Sequence, residues 1–559
     1  MKLNLFTLSI LFLTLGIRAQ VMAQEQLPDI PPTCITTGDE KNISSQFPMM
    51  GWSSWNANRI NINETLIKET ADYVVSLGLK DVGYTWINTD DGFFGSRDAK
   101  GNLLVNSKFP NGMKTIADYI HAKGLNAGIY SEAGKNTCAY KWDNDKTNGL
   151  NAGLFGHVGQ DLRLFFQDWG FEFIKVDYCG AEDQQLDEKT TYTQIADTIK
   201  KIETETGKDI RFNVCRWNFP GTWVSDIADS WRMYSDINNK FSSIKTIIEK
   251  NTYLSAYASP GHYNDMDMLQ VGRGMNIDEE KTHFGMWCIM SSPIMIGCNL
   301  KNIPAATLDV IKNTEVIAVN QDSLGLQAQI VARNGNTMVF AKQVEVANGK
   351  IRAVALFNGE NSVQTIRVMF DDIQLSEKAQ VRDLWTHTNL GTFTKYYETS
   401  VPAHGTAMLR IEGENAIEKT CYQGEDAFLN DFSAIASGSN FAHPEAVNTA
   451  IASGGYKLAK LGHASTNWAE FRNVYSLNGG TYTFKVFYYS PENRNLQVSV
   501  NGKIYLMKKL NSGNINTRGE AGIKIRLKPG NNVIRLNSNK TSDWAPDIDM
   551  FELIASGKL

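Results

Sequence analysis

Lys175 and Asp177 stand two residues apart in a run of strand character, Phe171 to Tyr178. On an extended strand they project from one face. The ammonium holds the carboxylate ionised, as a nucleophile requires. Arg232, Tyr234 and Asp236 repeat that spacing in Ser230 to Asp236 and share a face if that segment is extended. Two carboxylates on separate strands across one pocket are the minimum equipment for cleaving a glycosidic bond: one attacks while the other protonates the departing oxygen. An anionic Asp177 is expected to raise the pKa of Asp236 and keep it a general acid.

The elements that must carry these side chains follow a repeated pattern. Leu66 to Leu77 has Ile67, Ala71, Val74 and Val75 at helical spacing before Gly78. Ile116, Ala117 and Ile120 precede Gly124, and Leu162, Phe165, Phe166 and Trp169 precede Gly170. Glycine ends a helix by taking up the left-handed conformation. Each glycine is followed by a strand-like run, Val82 to Thr89, Leu125 to Ser131 and Phe171 to Tyr178. Five more runs complete the set: Phe47 to Ser53, Ile210 to Arg216, Ser230 to Asp236, Tyr263 to Leu269 and Ser292 to Gly297. Eight strands alternating with helices predict an α/β fold, a (β/α)8 TIM barrel, whose strand ends meet at one mouth. Those ends supply Trp52, Asp90, Asp91, Tyr130, Lys175, Asp177, Arg216, Arg232, Asp236, Asp265 and Asp267. So many carboxylates on one face need interleaved cations and a polar ligand.

Beyond Leu324 the period shortens to that of antiparallel strands: Thr337–Val344, Ile351–Asn358, Gln364–Phe370, Gln380–Trp385 and Met408–Ile411. The predicted organisation is a signal peptide over 1–23, a catalytic barrel over 24–324, an antiparallel β-sandwich over 325–412, a linker over 413–425, and a second, jelly-roll-like β-sandwich over 426–559. In the last unit Asn501-Gly502 makes a tight hairpin turn.

The remaining chemistry is bounded by composition. Lys plus Arg is 55 and Asp plus Glu is 60 in 559 residues, a net charge of −5 that gives no electrostatic basis for binding nucleic acid. Met1-Lys2, the apolar run Leu3 to Ile17 and the small-residue site Val21-Met22-Ala23 read as an export signal, too short for a membrane span. The expected location is periplasmic or secreted. The first cysteine, Cys34, is misplaced for a lipid anchor, and seven cysteines permit disulfides without making a disulfide scaffold. No CxxC or HExxH occurs, and a metal-dependent hydrolase built on Asp265 and Asp267 lacks histidines at ligand spacing. A third reading, a catalytically silent glycan-binding barrel, is opposed by the intact Asp177 and Asp236.

Six motifs occur in order: Pro48-Met49-Met50-Gly51-Trp52-Ser53-Ser54-Trp55, Asn88-Thr89-Asp90-Asp91-Gly92, Gly128-Ile129-Tyr130, Ile174-Lys175-Val176-Asp177-Tyr178-Cys179, Trp231-Arg232 through Asp236-Ile237, and Asn264-Asp265-Met266-Asp267-Met268-Leu269. Together they resemble glycoside hydrolase family 27, the α-galactosidases and their relatives in clan D. The resemblance runs from Pro48 through Asn320-Gln321-Asp322 into the first sandwich. It implies a retaining exo-glycosidase with Asp177 as nucleophile and Asp236 as acid/base. It implies sugar-holding roles for Trp52, Asp90, Asp91, Tyr130, Lys175 and Arg232, and a Cys138–Cys179 disulfide. The implied partner is a galactose-containing oligo- or polysaccharide, with no catalytic cofactor.

Two positions depart from the family pattern. Asp90-Asp91-Gly92-Phe93 replaces Asp-Asp-Cys-Trp, and Cys215-Arg216-Trp217 replaces a Cys-Glu-Trp whose glutamate contacts the sugar's O2. A donor-only guanidinium in place of an acceptor-only carboxylate reverses the hydrogen-bond polarity there, which keeps Arg216 as a substrate-binding candidate and β-L-arabinopyranosides as an alternative substrate. α-N-Acetylgalactosaminides fit less well, since that specificity goes with small residues in this loop. The C-terminal segment resembles carbohydrate-binding modules of family 6 or 35 through Gly480-Thr481-Tyr482-Thr483-Phe484, Val500-Asn501-Gly502, Pro529-Gly530-Asn531-Asn532 and Pro546-Asp547-Ile548-Asp549. Trp468, Tyr488 and Trp544 are its candidate stacking residues, and such modules often bind a structural Ca²⁺.

Overall fold

The computed structural model describes residues 47–346, 349–434 and 444–556. The predicted signal segment and Cys34 lie outside them. Eight parallel strands form the barrel: β1 (Met50–Ser53), β2 (Trp86–Thr89), β3 (Asn126–Glu132), β4 (Phe173–Asp177), β5 (Arg211–Val214), β6 (Ser230–Arg232), β7 (Tyr263–Asp265) and β8 (Ile294–Ile296). They pair in chain order, β8 lies beside β1, and a parallel bridge between Leu269 and Ile296 brings the two edges together. Every predicted barrel strand is present. The three predicted helices precede Gly78, Gly124 and Gly170, whose φ values of 68°, 66° and 92° are left-handed. Ile67, Ala71 and Val74 are buried, whereas Val75 is exposed because the helix turns it off the apolar stripe.

Several strands are shorter than expected, and in β6 the difference moves candidate site residues. β6 stops at Arg232, so Tyr234 and Asp236 lie in the following loop and do not share a strand face with it. The cause is local: Arg232 Nη2 turns back to donate to Tyr234 O at 3.2 Å and Asp236 Oδ1 at 3.0 Å, and Ile237 N donates to Asp267 Oδ2 at 2.8 Å.

The first sandwich pairs Gln329–Asn334, Thr337–Gln343, Ile351–Asn358, Thr406–Gly413, Lys378–Asp383 and Thr388–Thr394 in one sheet, and Gln364–Met369 with Tyr396–Val401 in another. Its large sheet is buried on both faces. Met338, Phe340, Ala355, Phe357 and Met408 join the barrel core, while the alternate Val339, Val354, Leu356, Leu409 and Ile411 form the sandwich's own core.

The C-terminal unit is two antiparallel sheets of five strands each, with Cys421–Gln423 as an additional strand on Asp547–Ala555. That pairing lies within the stretch expected to be a linker, which is thus partly a strand of the last unit. The unit packs on the barrel through Phe219–Phe432 (ring centroids 5.6 Å apart), Tyr253–Tyr456 (5.2 Å), and Leu429 N donating to Tyr257 Oη at 3.0 Å. No helix among the described residues is long and apolar enough to cross a membrane.

Candidate active site

The predicted side chains gather at the C-terminal ends of the barrel strands. Lys175 and Asp177 share a face of β4, with Lys175 Nζ 3.6 Å from Asp177 Oδ1 and 3.4 Å from Asp90 Oδ2. Asp177 is buried, and its Oδ1 accepts no hydrogen bond among the described residues. Burial raises its pKa; Lys175 opposes that shift, and the Asp90 and Asp236 carboxylates add to it. Asp236 lies in the loop after β6. It is exposed, with 68% of its side chain open to solvent, as a residue presented from a loop.

The floor is built of buried groups held in place by one another. Trp52 on β1 donates through Nε1 to Cys298 O at 2.8 Å, just past β8. Asp90 and Asp91 follow β2. Asp90 Oδ1 accepts from Asp91 N at 2.9 Å, leaving Oδ2 to Lys175. Asp91 accepts from Gly92 N at 2.7 Å and from Ala139 N at 3.0 Å, and burial pushes its pKa to about 7. Tyr130 lies on β3 beneath Lys175, with Nζ 5.4 Å from the ring centroid, and its hydroxyl accepts from Cys138 N at 3.4 Å. The Cys138–Cys179 disulfide is present and ties the loop after β3 to the loop after β4.

Arg232 joins two carboxylates, with Nη2 at 2.9 Å from Asp267 Oδ2 and 3.0 Å from Asp236 Oδ1. Asp265 accepts from Asn213 Nδ2 at 2.9 Å and from Asp267 N at 2.8 Å. Asp267 and Asp265 are thus occupied in fixing Arg232 and Asn213. Arg216 is turned toward the adjoining loop, where Nε donates to Glu188 Oε2 at 3.1 Å and Nη2 to Glu182 Oε1 at 3.3 Å.

Two contributors, Glu132 and Cys215, escaped the sequence reading, and a third, Asp267, lies past the strand end where the sequence placed it. Glu132 ends β3 and accepts from Gly134 N, Cys179 N and Ala181 N at 2.9, 2.9 and 3.1 Å, fixing the disulfide-linked loops from below. Its place two residues after Tyr130, on the same strand face, was the available signal. Cys215 is buried as a free thiol and accepts from Arg232 Nη1 at 3.7 Å. Asp267 holds a φ of 78°, a strained conformation for a non-glycine residue, that aims its carboxylate at Arg232.

Comparison with known proteins places the barrel and the first sandwich in one family. The family model described as Alpha galactosidase A matches residues 47–322, and that of the Alpha galactosidase C-terminal beta sandwich domain matches 334–411. Alpha-galactosidase 2 of Arabidopsis thaliana is 37% identical over 377 residues, covering 66% of this chain and 90% of the relative. Alpha-galactosidase A of Cellvibrio japonicus is 36% identical, covering 66% and 92%. The crystal structure of alpha-galactosidase I from Mortierella vinacea superposes with a TM-score of 0.61 at 31% identity, over 68% of this chain and 100% of that one. The C-terminal unit lies beyond both family models.

Proposed function

Because the chain belongs to the α-galactosidase family of glycoside hydrolases, we propose that it removes terminal α-D-galactose from oligo- or polysaccharides with retention of configuration. Asp177 attacks the anomeric carbon and Asp236 protonates the leaving oxygen. Water then releases the sugar, with Asp236 as base. The observation that supports this reading is the buried Asp177 Oδ1, which accepts no hydrogen bond among the described residues and faces Lys175 at 3.6 Å. Such an oxygen is held charged by a cation yet free to form a bond. Trp52, Asp90, Asp91, Tyr130, Lys175 and Arg232 hold the sugar. Adjacent carboxylates offer acceptors to two hydroxyls on one side of a ring, which suits galactose.

The deciding experiment is Asp177→Ala. Turnover of nitrophenyl α-galactoside disappears, and added azide yields no product of retained configuration. Such a product with azide would overturn the nucleophile assignment.

Export to the periplasm or medium accords with the N-terminal signal pattern and the disulfide. For the C-terminal unit we propose a glycan-binding module. Tyr488 is buried, which leaves the half-buried Trp468 and Trp544 as its stacking residues; these carry Arg535 at 3.8 Å and His463 at 4.7 Å on their rings. The Ca²⁺ implied by the module's resemblance is not matched by a ligand set among the described residues: of the buried acids Glu425 and Asp549, Asp549 Oδ2 is paired with Arg518 Nη1 at 3.0 Å and its Oδ1 accepts from Ser453 N at 2.8 Å. A melting temperature of the full chain that a chelator leaves unchanged is the expected result.

A further inference from the structure

Between the barrel and the C-terminal unit lies a cleft of about 660 Å³. Its barrel wall carries Glu188 and the loop after β5 with Trp223 and Asp226; its module wall carries Phe428, Asp431 and Arg472. The two walls are fixed to each other. Thr222 N donates to Phe432 O at 3.1 Å, Ala434 N donates to Phe219 O at 3.0 Å, and the Phe219 and Phe432 rings stack. The cleft is therefore a permanent feature of the fold and contains residues from beyond the family's two domains.

Its chemistry is that of a sugar site. The half-buried Trp223 stacks on Tyr192 on one side, and its Nε1 donates to no group among the described residues. Phe428 lies beneath the Arg472 guanidinium at 3.9 Å, which makes a flat polar-topped platform. Carboxylates of Asp226 and Asp431 are exposed as acceptors, and the buried Glu188 Oε1 accepts no hydrogen bond among the described residues. Flat apolar surfaces beside a few placed acceptors and donors recognise pyranose rings. The volume lies within the roughly 300–1,000 Å³ usual for ligand sites. Its wall is joined to the reaction centre by a chain of side-chain contacts. Glu188 grips Arg216, Arg216 adjoins Cys215, and Cys215 bonds Arg232 beside Asp236.

We propose that this cleft binds the carbohydrate chain to which the terminal galactose is attached, so that the enzyme's preferred substrate is a galactosylated oligosaccharide longer than a disaccharide. The proposal rests on the galactosidase reading of the barrel. In the full chain, Trp223→Ala lowers kcat/KM on an α-galactosyl manno-oligosaccharide by about tenfold, while kcat/KM on nitrophenyl α-galactoside stays within about twofold. Asp431→Asn, an exposed change, lowers the oligosaccharide value by a smaller factor and leaves the melting temperature unaltered. Equal losses on both substrates in Trp223→Ala, or no loss on either, overturn the proposal. A second arm reads the cleft without catalysis. A galactose-free manno-oligosaccharide changes the tryptophan fluorescence of the wild type saturably and that of Trp223→Ala not at all. Absence of saturable binding to the wild type overturns the cleft. A wild type that binds this probe yet turns over neither galactoside overturns the barrel reading alone.

Discussion

Arg216 Nε lies 3.1 Å from Glu188 Oε2, so the guanidinium expected as a substrate-binding candidate is bound to the carboxylate that opens the helix Glu188–Thr206. Glu182 takes a second donor, and the Tyr178 ring lies beneath at 5.1 Å. Burial pushes Glu188 to about 7 against the opposing pull of Arg216. Arg216 is therefore expected to position this wall and to act on the sugar only indirectly. Arg216→Ala is expected to lower the melting temperature while the ratio of kcat/KM for nitrophenyl α-galactoside and β-L-arabinopyranoside changes by less than about threefold. A tenfold change in that ratio would show direct contact between the guanidinium and the sugar.

Lys175 opposes the rise in the pKa of Asp177 that burial causes. If Asp177 is the nucleophile, it attacks only when ionised, and its pKa sets the acidic limb of kcat/KM. Lys175→Met removes the opposing charge and raises that pKa further, which moves the acidic limb to higher pH. The loss of a buried charged contact to the reacting group also lowers the plateau by about 10²–10³-fold. Lys175→Arg keeps the charge and should restore the position of the limb better than the height of the plateau. An unmoved limb in Lys175→Met would separate the lysine from the nucleophile.

Asp236 is presented by a loop and tethered by Arg232 at 3.0 Å. If it protonates the leaving oxygen, Asp236→Ala loses about 10²–10⁴-fold on glycosides with poor leaving groups. The loss is smaller on aryl galactosides, whose leaving groups depart with little protonation. Equal losses on both substrate types would remove Asp236 from the acid role.

The barrel was legible because its two periods are local. Apolar stripes ending in Gly78, Gly124 and Gly170 announce helices, and the runs after them can only be strands. Side chains on strands were equally legible, since Lys175 and Asp177 need only a period of two to share a face. What escaped depends on tertiary contacts. The end of β6 at Arg232 is set by bonds to Asp236 and Asp267, and the latter is distant in sequence from the strand it bends. The strand Cys421–Gln423 exists only because Asp547–Ala555, at the other end of the module, offers an edge. The direction of Arg216 follows from Glu182 and Glu188, whose proximity no local pattern records.

The loops after β3 and β4 touch backbone to backbone. A Cβ on Gly134 would lie 2.1 Å from Ala181 N, and one on Gly180 would lie 2.4 Å from Asn136 O. The Cys138–Cys179 disulfide, spanning 41 residues, joins the same two loops. Cys138→Ser with Cys179→Ser should cost about 2–4 kcal/mol of stability, read from denaturant midpoints. Gly134→Ala must displace the backbone next to Asp177 and should lower kcat more than it raises KM. A Gly134→Ala enzyme with wild-type kcat would show that the loop contact is dispensable for positioning the nucleophile.

Glu132, beneath those loops, supplies a signed pH dependence of stability. Burial is the chief cause that raises its pKa from 4.5 to about 8, against the three backbone N–H groups it accepts. The folded state therefore binds its proton more tightly than the unfolded chain does. This contribution is fully present below the unfolded pKa and is lost as pH climbs to the folded value, so stability falls between about 4.5 and 8. Asp91, raised to about 7, acts with the same sign. Glu132→Gln has no proton to lose, so its urea midpoint should decline less than that of the wild type over this interval. Parallel slopes in the two proteins would mean that Glu132 titrates near its ordinary value, charged and satisfied by its three amide donors.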